Sequence, residues 1–362
     1  MVILGSTGSI GVNALCIAKD YSLNVKALVA NSNIELLNRQ IKEFNPKYVA
    51  IGDENLKDKV EHKNVFVGES GILEMLELAF EKGITLVNAL VGFAGLKPTI
   101  KAQKLGYRIA LANKETLVVA GKFIDTSKII PIDSEHFGLW YLKNDKKIAK
   151  MTITASGGAL RDTPLEKIHN ISVGEALNHP NWKMGKKITI DSATMMNKIF
   201  ELLEARWLFD FKNIDAIIET KSVIHALIDF VDGSTTAHLA NTDMKLPIAY
   251  AMLKEVNEPI LKPINLLHVK SLEFREIDTK RYPIWVIKDF LLENPHFGVV
   301  VNAANEVAIK LFFEEKIAFG DIAAFSLNAI KKFEDIKVNS VEDIFLINDE
   351  VKNFCFKEMN VK

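Results

Sequence analysis

The chain has 362 residues, 48% of them hydrophobic and 25% charged, with 45 basic against 46 acidic side chains and a net charge of −1. That length allows two or three domains with their own cores, while the charge balance excludes a global basic field for binding nucleic acid or an anionic membrane. The two cysteines, Cys16 and Cys355, are far apart and outside any C-x-x-C, which argues against a disulfide framework or a thiolate metal site and fits a reducing compartment.

Three apolar residues, Val2–Leu4, lead into Gly5-Ser6-Thr7-Gly8-Ser9-Ile10-Gly11, and a helix-compatible stretch covers 12–19. A strand, a glycine turn and a helix start in that order read as a dinucleotide-binding βα unit. Glycine lets backbone approach a pyrophosphate, and the N–H groups of a helix start favour its charge. The spacing is G-x-x-G-x-x-G rather than G-x-G-x-x-G, so a plain βα turn is the alternative. No basic segment precedes the strand, so no signal peptide is expected and the cytoplasm is the default compartment.

Further strands at 24–30, 48–51, 86–89 and 108–111 alternate with helical stretches at 34–43, 72–82 and 96–104. This alternation predicts an α/β fold with a Rossmann-like, doubly wound parallel sheet over 1–131. The apolar run 84–96 is glycine-rich and shorter than the roughly 20 residues a bilayer span needs, so no membrane segment is expected. Over 132–255, strands at 150–155, 216–219 and 234–239 mix with a strong helix at 194–209, predicting a central α/β catalytic domain. The polar stretch 178–187 reads as a mobile loop. Pro247, Pro259 and Pro263 punctuate a connecting stretch, with the connector placed at 256–281, and helices at 284–293, 302–315 and 319–333 predict a C-terminal helical domain over 282–362.

Several clusters can carry chemistry. Asn31-Ser32-Asn33 follows the second strand, twenty residues after Gly11, where an NAD enzyme usually places an acid on the ribose. Without that carboxylate a 2′-phosphate is not repelled, which favours NADP over NAD; a polar loop is the bland alternative. Asn113-Lys114-Glu115 follows a strand end, where open sheets bind ligands; a solvated helix start is the alternative. Asp133 and Glu135 would share one face of an extended segment, and two carboxylates pointing one way favour a cation between them, although D-x-E is also common on surfaces. On the following helix Asn197, Lys198, Glu201 and Glu204 share faces at i,i+3 and i,i+4 spacing. Glu201 would complete an all-oxygen trio suited to Mg²⁺ or Mn²⁺; an ion-paired helix exterior is the alternative. Ser156-Gly157-Gly158 reads as a backbone nest for an anion. Asp191 or Ser192 would either line an anion site or cap the helix bearing Lys198. His179 and Trp182 would either close over a ligand or merely pack.

Taken together, GSTGSIG (5–11), ANKE (112–115), DSEH (133–136), SGG (156–158), HPNWKMG (179–185) and DSATMMNK (191–198) with Glu201, extended by SVIH (222–225) and NAANE (302–306), make the chain resemble the 1-deoxy-D-xylulose 5-phosphate reductoisomerases over nearly its whole length. The resemblance implies a homodimer that isomerises and reduces a phosphorylated sugar with NADPH and Mg²⁺ or Mn²⁺, while composition leaves no nucleic-acid or membrane partner expected. It implies cofactor contacts from Thr7, Gly8, Ser9, Ile10, Asn31, Asn33, Asn113, Glu115 and Gly185, and metal ligation by Asp133, Glu135 and Glu201. Lys114, Ser134, Glu135, Ser156, His179, Ser192, Asn197, Lys198 and Glu201 would hold the substrate, with Lys114 and Glu135 handling protons and Glu204 one helical turn behind the ligands. One departure stands out: the family commonly has Gly-Lys-Asn after the second strand, and Ser32 here supplies no charge for a 2′-phosphate. An ordinary NADP-linked dehydrogenase would need no carboxylate trio, and a nucleotide-sensing regulator would not need to keep the metal and phosphate residues.

Overall fold

A computed structural model describes residues 1–182, 184–253 and 255–359. The chain forms two compact units: Met1–Thr116 with Asp125–Phe137 and Asp243–Lys262, and Leu117–Ile124 with Gly138–Thr242 and the described chain from Pro263 onward.

The first unit is built on seven strands: β1 (Val2–Leu4), β2 (Ala27–Ala30), β3 (Tyr48–Ile51), β4 (Val65–Val67), β5 (Thr85–Asn88), β6 (Arg108–Leu111) and β7 (Ile129–Pro131). All pair in parallel, in the order β4-β3-β2-β1-β5-β6-β7. The central strands are buried along their whole length, as a parallel sheet covered on both faces requires. The strand order reverses beside β1, whose two neighbours are β2 and β5, so this is the switch point where ligands bind at strand C-ends. β4 and β7 escaped the sequence reading because each has three residues, mostly half-exposed, and shows no usable period. The helix Lys245–Met252 packs on the helix Ser9–Asp20, and Ile248, Ala249, Ala251 and Met252 join the core formed by Ile3, Leu28, Leu37, Val49 and Ile51. Pro247 is therefore helical rather than part of a connector. It sits in the first turn, where its missing N–H has no intrahelical bond to lose.

The second unit holds a five-stranded mixed sheet: β8 (Ile148–Ala155), β9 (Ile214–Glu219), β10 (Ile224–Phe230), β11 (Thr235–Leu239) and β12 (Phe274–Arg275), in the order β11-β10-β8-β9-β12. β8 and β9 are parallel and the other pairs antiparallel. The helices Gly298–Phe313, Ile322–Lys332 and Val341–Met359 pack on one another, and the first is buried along most of its length. The expected helix over 194–209 is two helices, Lys186–Thr194 and Met196–Leu208, broken at Met195 with φ +71°. The apolar pattern runs through the break because Ile190, Ala193, Met195, Met196 and Ile199 are all buried, so packing holds a conformation that propensity disfavours. Among the described residues no helix is long and apolar enough to cross a membrane.

Candidate active site

At the C-end of β1, Gly5 turns the chain at φ +80°, and its N–H and that of Ser6 both donate to Val29 O, at 2.9 and 2.8 Å. A Cβ on Gly5 would lie 2.4 Å from Ala89 O, and one on Gly11 2.2 Å from Gly5 O. Both glycines are fixed by backbone that cannot swing away. The helix Ser9–Asp20 starts behind Gly8 with no side-chain cap. Its first N–H groups, flanked by the accessible Thr7, Gly8, Ser9 and Ile10, are therefore open to an anion. After β2, Asn33 accepts from Leu36 N at 3.3 Å and caps the next helix, while the Asn31 side chain covers Gly52. Asn31, Ser32 and Asn33 are exposed, and no carboxylate interrupts them.

At the C-end of β6, Asn113 is buried and donates to Leu90 O and Gly92 O, both at 2.8 Å, while its Oδ1 accepts from Thr116 N at 3.0 Å. Its amide ties two strand-end loops together, and Glu115 Oε2 lies 3.2 Å from the same nitrogen. Lys114 Nζ faces Asp133 Oδ2 at 3.2 Å, with both side chains largely buried. Asp133 and Glu135 do not share the strand face expected from the sequence. β7 ends at Pro131, a helix begins at Ser134, and Asp133 Oδ1 accepts from the N–H groups of Glu135 (3.1 Å) and His136 (3.3 Å). Asp133 is thus a helix cap with its second oxygen turned to Lys114. Ser134 Oγ donates to Glu135 Oε2 at 2.7 Å.

In the second unit, Ser156 directly follows the end of β8 at Ala155 and is itself followed by Gly157 and Gly158 at φ +85° and +68°. Ser156 Oγ accepts from Gly158 N at 3.0 Å and lies 2.9 Å from His179 Nε2. His179 Nδ1 accepts from the backbone N–H groups of Asn181 (3.1 Å) and Trp182 (3.0 Å), so the network assigns the ring proton to Nε2, which donates to Ser156. Burial, with the Arg161 charge adding to it, pushes the His179 ring down to about 4. A ring that binds its proton more weakly folded than unfolded costs stability as pH falls from about 6.5 towards 4. We expect the His179 ring signals in a histidine NMR titration to stay unchanged between pH 5 and 8; a midpoint near 6.5 would refute the assignment.

Asp191 and Ser192 were candidate caps for the helix bearing Lys198; instead both lie inside Lys186–Thr194. Asp191 is buried, paired with Lys187 Nζ at 2.8 Å and held by Asn305 Nδ2 at 2.6 Å. Asn305 is a contributor that the sequence displayed only as part of NAANE. Gly185 begins the Lys186–Thr194 helix, and its carbonyl accepts from Thr189. Lys183 of the HPNWKMG segment lies outside the described residues. On Met196–Leu208, Asn197 donates to Glu201 Oε1 at 2.5 Å, and Lys198 pairs with Glu201 Oε2. Lys198, Glu201 and Glu204 are all buried, so this is no ion-paired exterior.

Asp133 and Glu135 in the first unit and the buried Glu201 in the second supply three carboxylates. Carboxylates brought together repel unless positive charge joins them, and an all-oxygen donor set suits Mg²⁺ or Mn²⁺ rather than Zn²⁺. The sequence reading missed Arg161, which lies beneath the Ser156 turn and whose only signal was its position three residues after Gly158.

Three family models match the chain: 1-deoxy-D-xylulose 5-phosphate reductoisomerase over 1–121, the C-terminal domain of that enzyme over 129–209, and the DXP reductoisomerase C-terminal domain over 239–354. The chain is 59% identical to the 1-deoxy-D-xylulose 5-phosphate reductoisomerase of Nautilia profundicola, over 98% of this chain and 99% of the relative. It is 53% identical to that of Campylobacter hominis over the full length of both. A solved DOX-P reductoisomerase in complex with NADPH, fosmidomycin and magnesium superposes with a TM-score of 0.93 at 33% identity, covering 99% of this chain and 98% of the other. The Zymomonas mobilis enzyme in complex with NADPH gives 0.88 at 30% identity, with the same coverage.

Proposed function

This chain belongs to the 1-deoxy-D-xylulose 5-phosphate reductoisomerase family, and from that premise we propose how its residues divide the work. It isomerises 1-deoxy-D-xylulose 5-phosphate and reduces the product to 2-C-methyl-D-erythritol 4-phosphate with NADPH and a divalent cation. What supports the site assignment is the donor set, three carboxylates on Asp133, Glu135 and Glu201, together with the likeness to a solved reductoisomerase in complex with magnesium.

When bound, the cation supplies Lewis-acid stabilisation of negative charge on substrate oxygens and NADPH supplies hydride. Asp133, Glu135 and Glu201 hold the cation. Lys114, whose ammonium faces Asp133 at 3.2 Å, and Glu135 handle protons at the reacting oxygens. Ser134 orients Glu135 through its 2.7 Å hydrogen bond. His179 Nε2, Ser156, Ser192, Asn197 and Lys198 receive the phosphate end. Neutral His179 donates there without the desolvation cost of an imidazolium, while Lys198 supplies the charge. Thr7, Gly8, Ser9 and Ile10 cradle the pyrophosphate, with further cofactor contacts from Asn31, Asn33, Asn113, Glu115 and Gly185. Functionally, 1–131 is the cofactor region, 132–255 the catalytic region apart from the segment Asp243–Lys262 that packs with the cofactor unit, 256–281 a connector and 282–362 a C-terminal helical domain. The protein works as a cytoplasmic homodimer.

The deciding experiment follows NADPH oxidation at 340 nm by purified protein on 1-deoxy-D-xylulose 5-phosphate, with Mg²⁺, with Mn²⁺ and with chelator. Turnover that survives chelation would sink the metal assignment. Cofactor choice gives a second test. Asn31-Ser32-Asn33 offers a 2′-phosphate no repulsion but also no charge, so Ser32→Lys should tighten NADPH binding by about 0.3–1 kcal/mol as an exposed pair and leave NADH binding unchanged. Equal kcat/KM for NADH and NADPH in the parent would refute the role given to this turn.

A further inference from the structure

The turn bearing Ser156 rests on one guanidinium. Nη1 of Arg161 donates to Ser156 O at 2.8 Å and to Thr220 O at 2.7 Å, one hydrogen to each. Thr220 O also accepts from Asn181 Nδ2 at 3.0 Å, and that amide donates onward to Ser222 Oγ at 2.8 Å. Asn181 follows His179 by two residues and its own N–H binds the His179 ring. A single nitrogen thus joins the backbone that carries Ser156 to the backbone that receives the His179 segment.

The Arg161 stem contributes as well. It lies against Gly157 so closely that a Cβ there would be 2.7 Å from both its Cγ and its Cδ. Tyr282, itself buried, fixes the same glycine by donating to Gly157 O at 2.8 Å. Glycine reaches positive φ without strain but also reaches many other conformations, so the contacts of Arg161 and Tyr282 select this one. The outward partner of Arg161 Nε is Asp162, 3.0 Å away and 60% exposed, so that pair contributes little.

We propose that Arg161 is a positioning residue of the substrate site, holding Ser156 and the His179 segment in register through the carbonyls of Ser156 and Thr220. It bonds backbone oxygens and does not itself bind substrate. The proposal rests on the reading of Ser156 and His179 as binders of the substrate's phosphate end. A planar guanidinium presents two coplanar hydrogens from one nitrogen; a lysine ammonium on a flexible stem reproduces the charge but not that fork.

The test compares Arg161→Met, Arg161→Lys, Asp162→Asn and Ser156→Ala by steady-state kinetics and melting temperature. Arg161→Met should raise KM for 1-deoxy-D-xylulose 5-phosphate at least tenfold, lower kcat less than threefold and leave KM for NADPH within twofold. Arg161→Lys should recover part of the KM, and Asp162→Asn should stay within twofold of the parent. Should Arg161→Met not fold, Arg161→Lys carries the test, with a KM three- to tenfold above the parent and weakened inhibition by inorganic phosphate. A folded Arg161→Met with unchanged KM, or Asp162→Asn shifting KM as far as Arg161→Met does, overturns the proposal. Ser156→Ala separates the two readings. If it leaves KM unchanged, the phosphate-end assignment fails and the proposal with it; if it raises KM while Arg161→Met does not, only the positioning role fails.

Discussion

Glu201→Gln should lower kcat by about 100-fold or more, because losing a direct ligand must exceed the 10–100-fold typical of losing a partner behind one. The concentration of Mg²⁺ needed for half-maximal activity should rise, and the NADPH dissociation constant, read by nucleotide fluorescence, should stay within about twofold. The geometry explains the size of the effect. Glu201 is 1% exposed, one of its oxygens pairs with Lys198 and the other accepts from Asn197. A glutamine keeps the shape, removes the charge and turns an NH₂ group towards one of two existing donors. Weakening the buried contact with Lys198 also costs stability, with roughly 3–5 kcal/mol as the upper bound for breaking such a pair, so kcat must be normalised to folded enzyme. Glu204→Gln, one helical turn further along and also buried, should be milder than Glu201→Gln, at most the roughly 10–100-fold expected of a residue behind the proposed ligands. A folded Glu201→Gln enzyme within threefold of the parent kcat would remove the metal site from the mechanism.

What the sequence displayed well was local. The glycines at 5, 8 and 11 announced the turn because backbone crowding leaves no room for a Cβ at two of them. The parallel sheet was legible because its inner strands are uniformly apolar. Asp133 and Glu135 were read with the wrong local geometry: D-x-E alternates on a strand, yet Asp133 also has what a helix cap needs, and the cap won. The break at Met195 was invisible because burial, not a glycine or proline, holds its left-handed backbone. Arg161 and Asn305 could not be assigned because their partners, Thr220 O and Asp191, are distant in sequence and meet them only through tertiary packing.

Gly158→Ala should be strongly damaging to the turn that bears Ser156. The residue sits at φ +68°, where any side chain strains the backbone, and its added Cβ would lie 2.6 Å from Ser192 O, 2.7 Å from Ala193 Cα and 2.8 Å from Ala193 N. All three are main-chain atoms of the helix Lys186–Thr194, so no rotamer change relieves the contact. Left-handed strain of about 1–2 kcal/mol and overpacking of about 1–3 kcal/mol together predict a loss of roughly 2–5 kcal/mol. Relief requires the Ser156 turn to move away from Ser192. That separates two of the groups assigned to the substrate's phosphate end, so KM for the sugar phosphate should rise at least about tenfold, more than kcat falls. Gly174→Ala is the contrasting control. Its Cβ meets nothing within 4 Å, it lies in the short helix Val173–Ala176, and alanine there should raise stability by up to about 1 kcal/mol. Differential scanning calorimetry of both variants, paired with KM for the sugar phosphate, decides the matter. A Gly158→Ala protein that melts with the parent and binds substrate normally would show that the Ser156 turn and the Ser192 helix need not touch.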